Sequence, residues 1–452
     1  MSEIKKTWAS SKTYRILLAA AIVYFLLRLA VQVYFSFGSF ESQAVEEGGQ
    51  ISVDLQQSYV AAARHFWAGE DLYLKGSLEI LELHYPYSPA FAFLYSPILL
   101  LPTNLLLVLM FILHIGAYAL LYFWWRRIFD YLKPESSLPR IWAWMLPVFL
   151  AFSVFWDDLA YMNIYLIVAL YATFLIDAVV RERLAPAVFW LGVMILPVKP
   201  HWAFAAALPL LLGRYRFFFK LMLWTVLAYL AVTAITLLGG GIGYGLAQYR
   251  DYFGFLARLS RDFPWWGPDK PFLGYNHSVM QIVLYFLGVS SGTMRLAAVI
   301  KLLVLAPLGV LALRLLAKPL DKPAAEVPQA ALDLVFALYL GAFIWLDMVW
   351  ELSLGVVIFA YLLATVEQKW SRIIMWILFA PYALLDIWRL LSYIAFGDEV
   401  LYNGSYVLTD PLIYVPVIML VILLFYGLLL QKLWKTPLLQ KTKDATFQQT
   451  GA

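Results

Sequence analysis

Polar positions are sparse along this chain, and the intervals between them set its architecture. The apolar intervals are long enough to read as membrane spans, since a hydrocarbon core about 30 Å thick takes roughly 20 helical residues. Twelve such segments are read, at approximately 14–35, 103–129, 139–156, 159–180, 184–198, 202–213, 217–238, 294–317, 330–347, 352–366, 372–391 and 411–434. Two more, 87–102 and 278–288, are too short or too broken by proline to cross. They are expected to be re-entrant or surface helices, because backbone polar groups at membrane depth need protein or water as partners. The pattern therefore predicts an all-α polytopic membrane protein: one integral membrane domain over 1–452, with about 12 transmembrane helices.

Longer polar stretches interrupt the pattern at 36–86, 239–276 and 392–410. The first is expected to be a loop carrying an amphipathic helix. The second, extended to residue 290, is a loop followed by a re-entrant helix. Residues 321–329 read as a linker and 436–452 as a disordered tail. Composition agrees with this division: with 63% hydrophobic and 14% charged residues the chain cannot be a soluble globular domain. The absence of cysteine removes disulfides, thiolate chemistry and Cys-ligated zinc from consideration. A net charge of +4 over 452 residues gives no reason to expect a nucleic-acid partner.

Charge placement is more informative than charge total. If the N-terminus is cytoplasmic, 22 of the 33 Lys and Arg residues fall in cytoplasmic segments, among them Arg126, Arg127, Arg181, Arg214 and Lys369. Both termini are then inside, and the three polar stretches are outside, where the chemistry is expected. The first span is too long for a signal-peptide core and is read as a retained anchor.

The stretch SVDLQQSYVAAARHFWAGEDLY (52–73) has helical periodicity, with Leu55, Tyr59, Ala62 and Phe66 on one face and Asp54, Ser58, Ala61 and His65 beside it. It predicts an amphipathic helix on the outer membrane surface, capped by Ser52 and ended by Gly69. Asp54 falls in the first turn, where free N–H groups and the helix dipole favour an ionised carboxylate. Such an acid either serves the helix alone or is presented to a substrate.

The surroundings of Asp54 carry a family resemblance. Asp54-Leu55, Tyr59 with Ala61 and Ala62, Gly69 with Asp71-Leu72-Tyr73, and Tyr87 with Pro89, Pro97 and Pro102 follow one another in order. Asn163 in MNIYLIVALYA, PVKPHWAF (197–204) and YNHSVMQ (275–281) continue the series. The set resembles the GT-C membrane glycosyltransferases, and most closely glycosyltransferase family eighty-seven, the polyprenyl-phosphate-mannose-dependent mannosyltransferases. The match departs from the family pattern at the Gly-Gln-x-Asn element, of which only Asn163 is kept.

The resemblance implies metal-independent, cofactor-free, inverting transfer of a sugar from a polyprenyl-phosphate donor to a lipid or glycan acceptor, at the outer face of a bacterial or archaeal plasma membrane. Asp54 would be the general base; the leaving phosphate is already ionised and needs no general acid. It does need cationic or N–H partners. Lys199, Arg258, Arg261 and His277 are the candidates. Lys199 either contacts phosphate or snorkels to the interface. Arg258 and Arg261, three residues apart, either clamp phosphate or bind lipid head groups. His277 either touches the donor or is a hydrogen-bonded structural residue. Tyr59, Tyr87, Asn163, Asn276 and Ser278 are substrate-binding candidates by the resemblance, and His84 either contacts acceptor sugar or packs at the interface.

Other polar features are read as structural. Asp157 and Asp158 are expected at an outer turn, where they either hold a cation or sugar hydroxyls or form a solvated turn, the preferred reading; Asp347 and Glu351 are expected to cap another outer turn. LGGGIGYG (238–245) lacks the Lys-Ser or Lys-Thr of a phosphate loop and is read as a flexible loop. The competing functional reading is a polytopic transporter or lipid flippase, which would place charged or broken helices at the bilayer midplane.

Overall fold

The computed structural model describes residues 2–43, 54–73, 85–262, 276–347, 349, 351–396 and 415–436. Among them every regular element is a helix. Seven helices are long and apolar enough to cross a membrane: Lys12–Phe37, Thr103–Leu132, Leu138–Tyr161, Tyr215–Gly240, Ser291–Ala317, Pro328–Trp345 and Val417–Lys435. An eighth candidate is the pair Lys369–Ala383 and Leu385–Ser392, bent by 43°. The remaining predicted segments are helical but shorter, as in Tyr165–Val180, Leu184–Ile195 and Gly355–Thr365, while residues 200–211 form a 3-10 helix, Pro200–Ala207, and one α-turn, Leu208–Leu211.

These unequal helices meet flush at one end. Arg214 donates to Glu182 at 2.7 and 3.0 Å, and Gln329 donates to the Pro134 carbonyl at 2.8 Å. Gly213, with φ of +80°, lies so close to Pro319 and Asp321 that a Cβ would come within 2.7 Å of the proline. Tyr361 donates to the Gln329 carbonyl, and Lys432 joins Asp333, Tyr361 and Thr365. The turns near residues 134, 182, 213 and 320 thus pack together, and they carry much of the basic charge that the sequence assigns to one side.

The slack is taken up at the opposite end. At 1.5 Å per residue, the 30 residues of Thr103–Leu132 span about 45 Å, whereas the 16 of Tyr165–Val180 span about 24 Å. Helices 103–132 and 291–317 end at the flush face and helix 215–240 begins there. Their surplus length therefore projects beyond the described residues of the turns at 162–164, 196–199 and 346–354, so that by helix length these turns are set back, as a recess, from the ends of the taller helices. The outward faces of the tall helices, such as Ile112, Leu230 and Leu303, are exposed apolar surface suited to lipid.

The predicted polar helix closes over this end. It runs as a π-helical turn, Leu55–Val60, and an α-helix, Ala61–Ala68. Leu55, Tyr59, Ala62 and Phe66 are buried, as the periodicity predicts, and Gly69 ends the helix in the left-handed conformation at φ of +72°. The proposed cap Ser52 lies outside the described residues.

Two expectations are corrected. Residues 238–245 are not a flexible loop: helix Tyr215–Gly240 runs into helix Ile242–Asp262 with a break only at Gly241, φ of +90°. Glycines are needed there because Gly239 sits against the Phe93 ring and Gly240 against the Phe66 ring, with no room for a Cβ. The first half of the second polar stretch is consequently a helix, tied to the 70–73 turn by Tyr244 donating to the Glu70 carbonyl and by Gln248, which accepts from Leu72 N–H and donates to Asp71. The boundary between the third and fourth predicted spans also moves, from about residue 157 to Met162, so that Asp157 and Asp158 belong to the last turns of helix Ser153–Tyr161.

Because the chain has no cysteine, the two ends can be labelled cleanly. Single cysteines at Ser136, on the flush face, and Glu70, beside the recess, are expected to react with an impermeant maleimide from opposite sides of the membrane. Labelling of both from one side would overturn the end-to-end arrangement.

Candidate functional site

The turn after helix 153–161 is the centre of the site. Met162 stops the helix with φ of +51°, a left-handed conformation unusual for a side-chain-bearing residue, and turns the chain so that Asn163 faces inward. Asn163 is buried, and its orientation is fixed by the Ile164 N–H, which donates to Oδ1 at 2.7 Å. That leaves Nδ2 to donate to Asp54 Oδ2 at 2.6 Å, while the Tyr59 hydroxyl donates to Oδ1 at 3.0 Å. With its own hydrogen used, Tyr59 accepts from the Tyr87 hydroxyl 3.2 Å away. Asp54, Tyr59, Tyr87 and Asn163, drawn from three separate parts of the chain, therefore form one hydrogen-bonded group.

Lys199 completes it. Pro200 helps hold the turn open, since the residue before a proline is kept from the helical conformation, and Lys199 has φ of −137° and ψ of 85°. The Pro197 carbonyl accepts from Ser88 N–H at 3.3 Å and from the Ser88 hydroxyl, which joins this turn to the segment carrying Tyr87. The Lys199 side chain is buried, with its ammonium 3.0 Å from the centroid of the Tyr165 ring and 5.3 Å from that of Tyr87. It faces aromatic rings and does not snorkel to an aqueous interface.

The solvated-turn reading of Asp158 is overturned. Asp158 is fully buried and caps helix 165–180, accepting from Tyr165 N–H and Leu166 N–H at 3.1 Å each. His114, which the sequence analysis missed, lies 3.5 Å from its Oδ2 and also faces the Asn163 and Met110 carbonyls. The available signal was a histidine inside an apolar run. Asp157 pairs instead with Arg389, next to an Arg28–Asp386–Tyr24 group.

The polar motif 276–278 has a backbone role. Asn276 donates from Nδ2 to the Asp347 carbonyl at 2.7 Å, and its Oδ1 accepts from Ser278 N–H at 3.0 Å and Val349 N–H at 3.1 Å. Ser278 caps helix Val279–Leu287 by accepting from Gln281 N–H, and His277 is buried, its N–H donating to the Val349 carbonyl. Both polar atoms of Asn276 are thus engaged by backbone, which holds the 346–351 turn in place. His84 lies outside the described residues. Arg258 and Arg261 are on helix Ile242–Asp262, and their side chains lie outside the described set. Among the described residues no three His, Asp or Glu side chains gather closely enough to hold a metal ion.

The electrostatics differ from the helix-dipole expectation. Asp54 has helical dihedrals, makes no side-chain cap bond and opens a π-helical turn. Burial pushes its carboxyl up to about 7, with Lys199 pulling it down and Asp158 adding to the rise. Burial likewise lowers the Lys199 ammonium to about 7, against the opposing effect of Asp54, Asp158 and Glu351. Taking a carboxylate out of water outweighs the few tenths to one kcal/mol that a helix N-terminus typically offers it.

Comparison with known proteins returned no match: no family model, no curated protein and no solved structure aligns significantly with this chain.

The mutual influence of Asp54 and Lys199 fixes the sign of a titration experiment. The carboxyl stretch of Asp54, isolated by infrared difference against Asp54→Asn, is expected to titrate near pH 7. In Lys199→Met the carboxylate loses a neighbouring cation, so the midpoint should move to higher pH. A midpoint near 4, or one unmoved by the substitution, would contradict the arrangement.

Proposed function

We propose that the chain is a GT-C-type membrane glycosyltransferase that transfers a sugar, by default mannose, from a polyprenyl-phosphate donor to a hydroxyl of a lipid or glycan acceptor. The observation that supports this best is the partly exposed Asp54 carboxyl, oriented by Asn163 and poised near neutral pH beside the buried Lys199 ammonium. In the proposed step the acceptor hydroxyl loses its proton to Asp54 as its oxygen bonds to the anomeric carbon. The bond from that carbon to the donor phosphate breaks, and its electron pair leaves on the phosphate. A base with a pKa near the working pH combines adequate basicity with a sufficient ionised fraction, so the raised value suits this role better than a dipole-depressed one.

Lys199 is the phosphate partner in this reading. Arrival of an anion restores the charge that burial suppresses, and the tyrosine rings beside the ammonium add cation–π stabilisation without competing hydrogen bonds. Tyr59, Tyr87 and Asn163 orient the base, and Asn276 and Ser278 act by positioning the 346–351 turn. In this reading the short helices also cross, which gives twelve spans, with the flush basic face cytoplasmic and the recess outside. The donor's lipid chain would lie along the apolar faces of the tall helices.

A transporter or flippase shares some of these features, since segment 138–161 is broken at Met145 and Phe152 and ionisable groups are buried. The gathering of Asp54, Asn163, Lys199 and Glu351 on or beside connections that all lie on the side opposite the flush face favours the transferase.

The test is to incubate purified protein with a panel of polyprenyl-phosphate sugars and membrane lipid extract and identify the donor consumed. Asp54→Asn should fold and bind donor but turn over about a hundredfold slower or worse, the usual scale for losing a general base. Near-parental turnover would remove Asp54 from the chemistry. Lys199→Ala should weaken donor use by about 1.5 to 3 kcal/mol, as for a lost charge-assisted hydrogen bond. Unchanged use of limiting donor would leave Lys199 as packing only.

A further inference from the structure

Glu351 is an ionisable group of the recess that the proposed chemistry does not use. It stands on the turn between helices Pro328–Trp345 and Gly355–Thr365, on the same end of the bundle as Asp54 and Lys199. One of its carboxyl oxygens, Oε2, is buried and accepts no hydrogen bond among the described residues. The turn that carries it is restrained on both flanks. On the N-terminal flank Asn276 bonds to the Asp347 carbonyl and the Val349 N–H, and Lys301 pairs with Asp347 and donates to the Trp345 carbonyl at 2.9 Å. On the C-terminal flank the Tyr382 hydroxyl accepts from Leu352 N–H at 2.9 Å and the Tyr339 hydroxyl accepts from Leu354 N–H at 3.5 Å.

A buried acceptor with no donor among the described residues is costly, and the backbone on either side of it is held by these bonds. Such a group is retained where a ligand supplies the missing donor. The cationic end of the recess is already formed by Lys199, so the phosphate has its partner; what a carboxylate recognises well is a pair of hydroxyls. Burial also pushes the Glu351 carboxyl well above its usual range, with Asp158 and Asp157 adding to the rise and Lys199 opposing it, which places it within electrostatic reach of the site.

We propose that Glu351 is a sugar-recognition residue, its side chain turning on the held backbone to bring the unsatisfied oxygen to ring hydroxyls of the donor while Lys199 holds the phosphate. This rests on the transferase reading. It assigns the two ends of the donor head group to two separate turns: the 196–199 turn takes the phosphate and the 346–354 turn takes the sugar.

The experiment measures equilibrium binding of polyprenyl-phosphate mannose, polyprenyl-phosphate glucose and the same polyprenyl phosphate without sugar to full-length protein in lipid nanodiscs. The parental protein is expected to bind at least one sugar-bearing lipid more tightly than the bare phosphate. Glu351→Ala should abolish that preference, a loss of tenfold or more, while binding bare polyprenyl phosphate within about twofold of parental. Its melting temperature should be unchanged or higher, because an unpaired buried carboxyl has been removed; a purely structural Glu351 would lower it. If Glu351→Ala does not yield folded protein, the similarly sized Glu351→Met, which has no oxygen to accept from a sugar hydroxyl, decides by the same comparison. A variant that keeps the full preference for sugar overturns the role of Glu351 and leaves the transferase reading standing. A parental protein with no preference for either sugar-bearing lipid overturns both.

Discussion

Helices of unequal length that meet flush at one face must be uneven at the other, and the rest of this molecule depends on that constraint. The short turns near 182 and 213 allow no adjustment at the flush face, where Gly213 is already pressed against Pro319 and Arg214 bridges to Glu182. All the mismatch between a helix of about 45 Å and one of about 24 Å is therefore collected on the opposite side. Backbone groups at the floor of such a recess need partners, and they find them in side chains: Asp158 satisfies two N–H groups of helix 165–180, and Asn276 satisfies the 346–351 turn.

The same depth that makes those bonds necessary alters the ionisable groups among them. Asp54 and Lys199 shift toward each other because neither charge is comfortable out of water, and each is held partly ionised by the other. Asn163 links the scaffold to Asp54: its Oδ1 is occupied by the Ile164 N–H and Tyr59, and its Nδ2 is presented to the carboxylate. The strained dihedral of Met162 serves the same end, since a relaxed helix would carry Asn163 past the carboxylate.

Much of this was legible in the sequence. Apolar runs located helices because lipid permits little else, and the 3.6-residue period found the buried face of the polar helix down to Leu55, Tyr59, Ala62 and Phe66. Asp54, Tyr59, Tyr87, Asn163 and Lys199 were singled out together, and the structure brings them together. What eluded the sequence is tertiary. Glycines 239 and 240 read as flexibility, but they are demanded by the rings of Phe93 and Phe66, residues more than a hundred positions away. Asp158 finds its N–H partners in the next helix, and only the close approach of helix 103–132 to the turn at 163 brings His114 to it. Local pattern likewise assigned Asp54 to the helix dipole, because depth of burial is not a local property.

The grip of Lys301 on the 345–347 backbone has a mechanical side. Lys301 lies within helix Ser291–Ala317, whose 27 residues span about 40 Å, longer than a typical hydrocarbon core, and whose Val299, Leu302 and Leu303 face outward. A helix longer than the surrounding bilayer relieves the mismatch by tilting. Because the ammonium of this helix is fastened to Asp347 and the Trp345 carbonyl, a change of tilt pulls on the turn that carries Glu351. The geometry of the recess is thereby tied to the thickness of the membrane around it, so that lipid composition acts on the site as a strain rather than as a ligand.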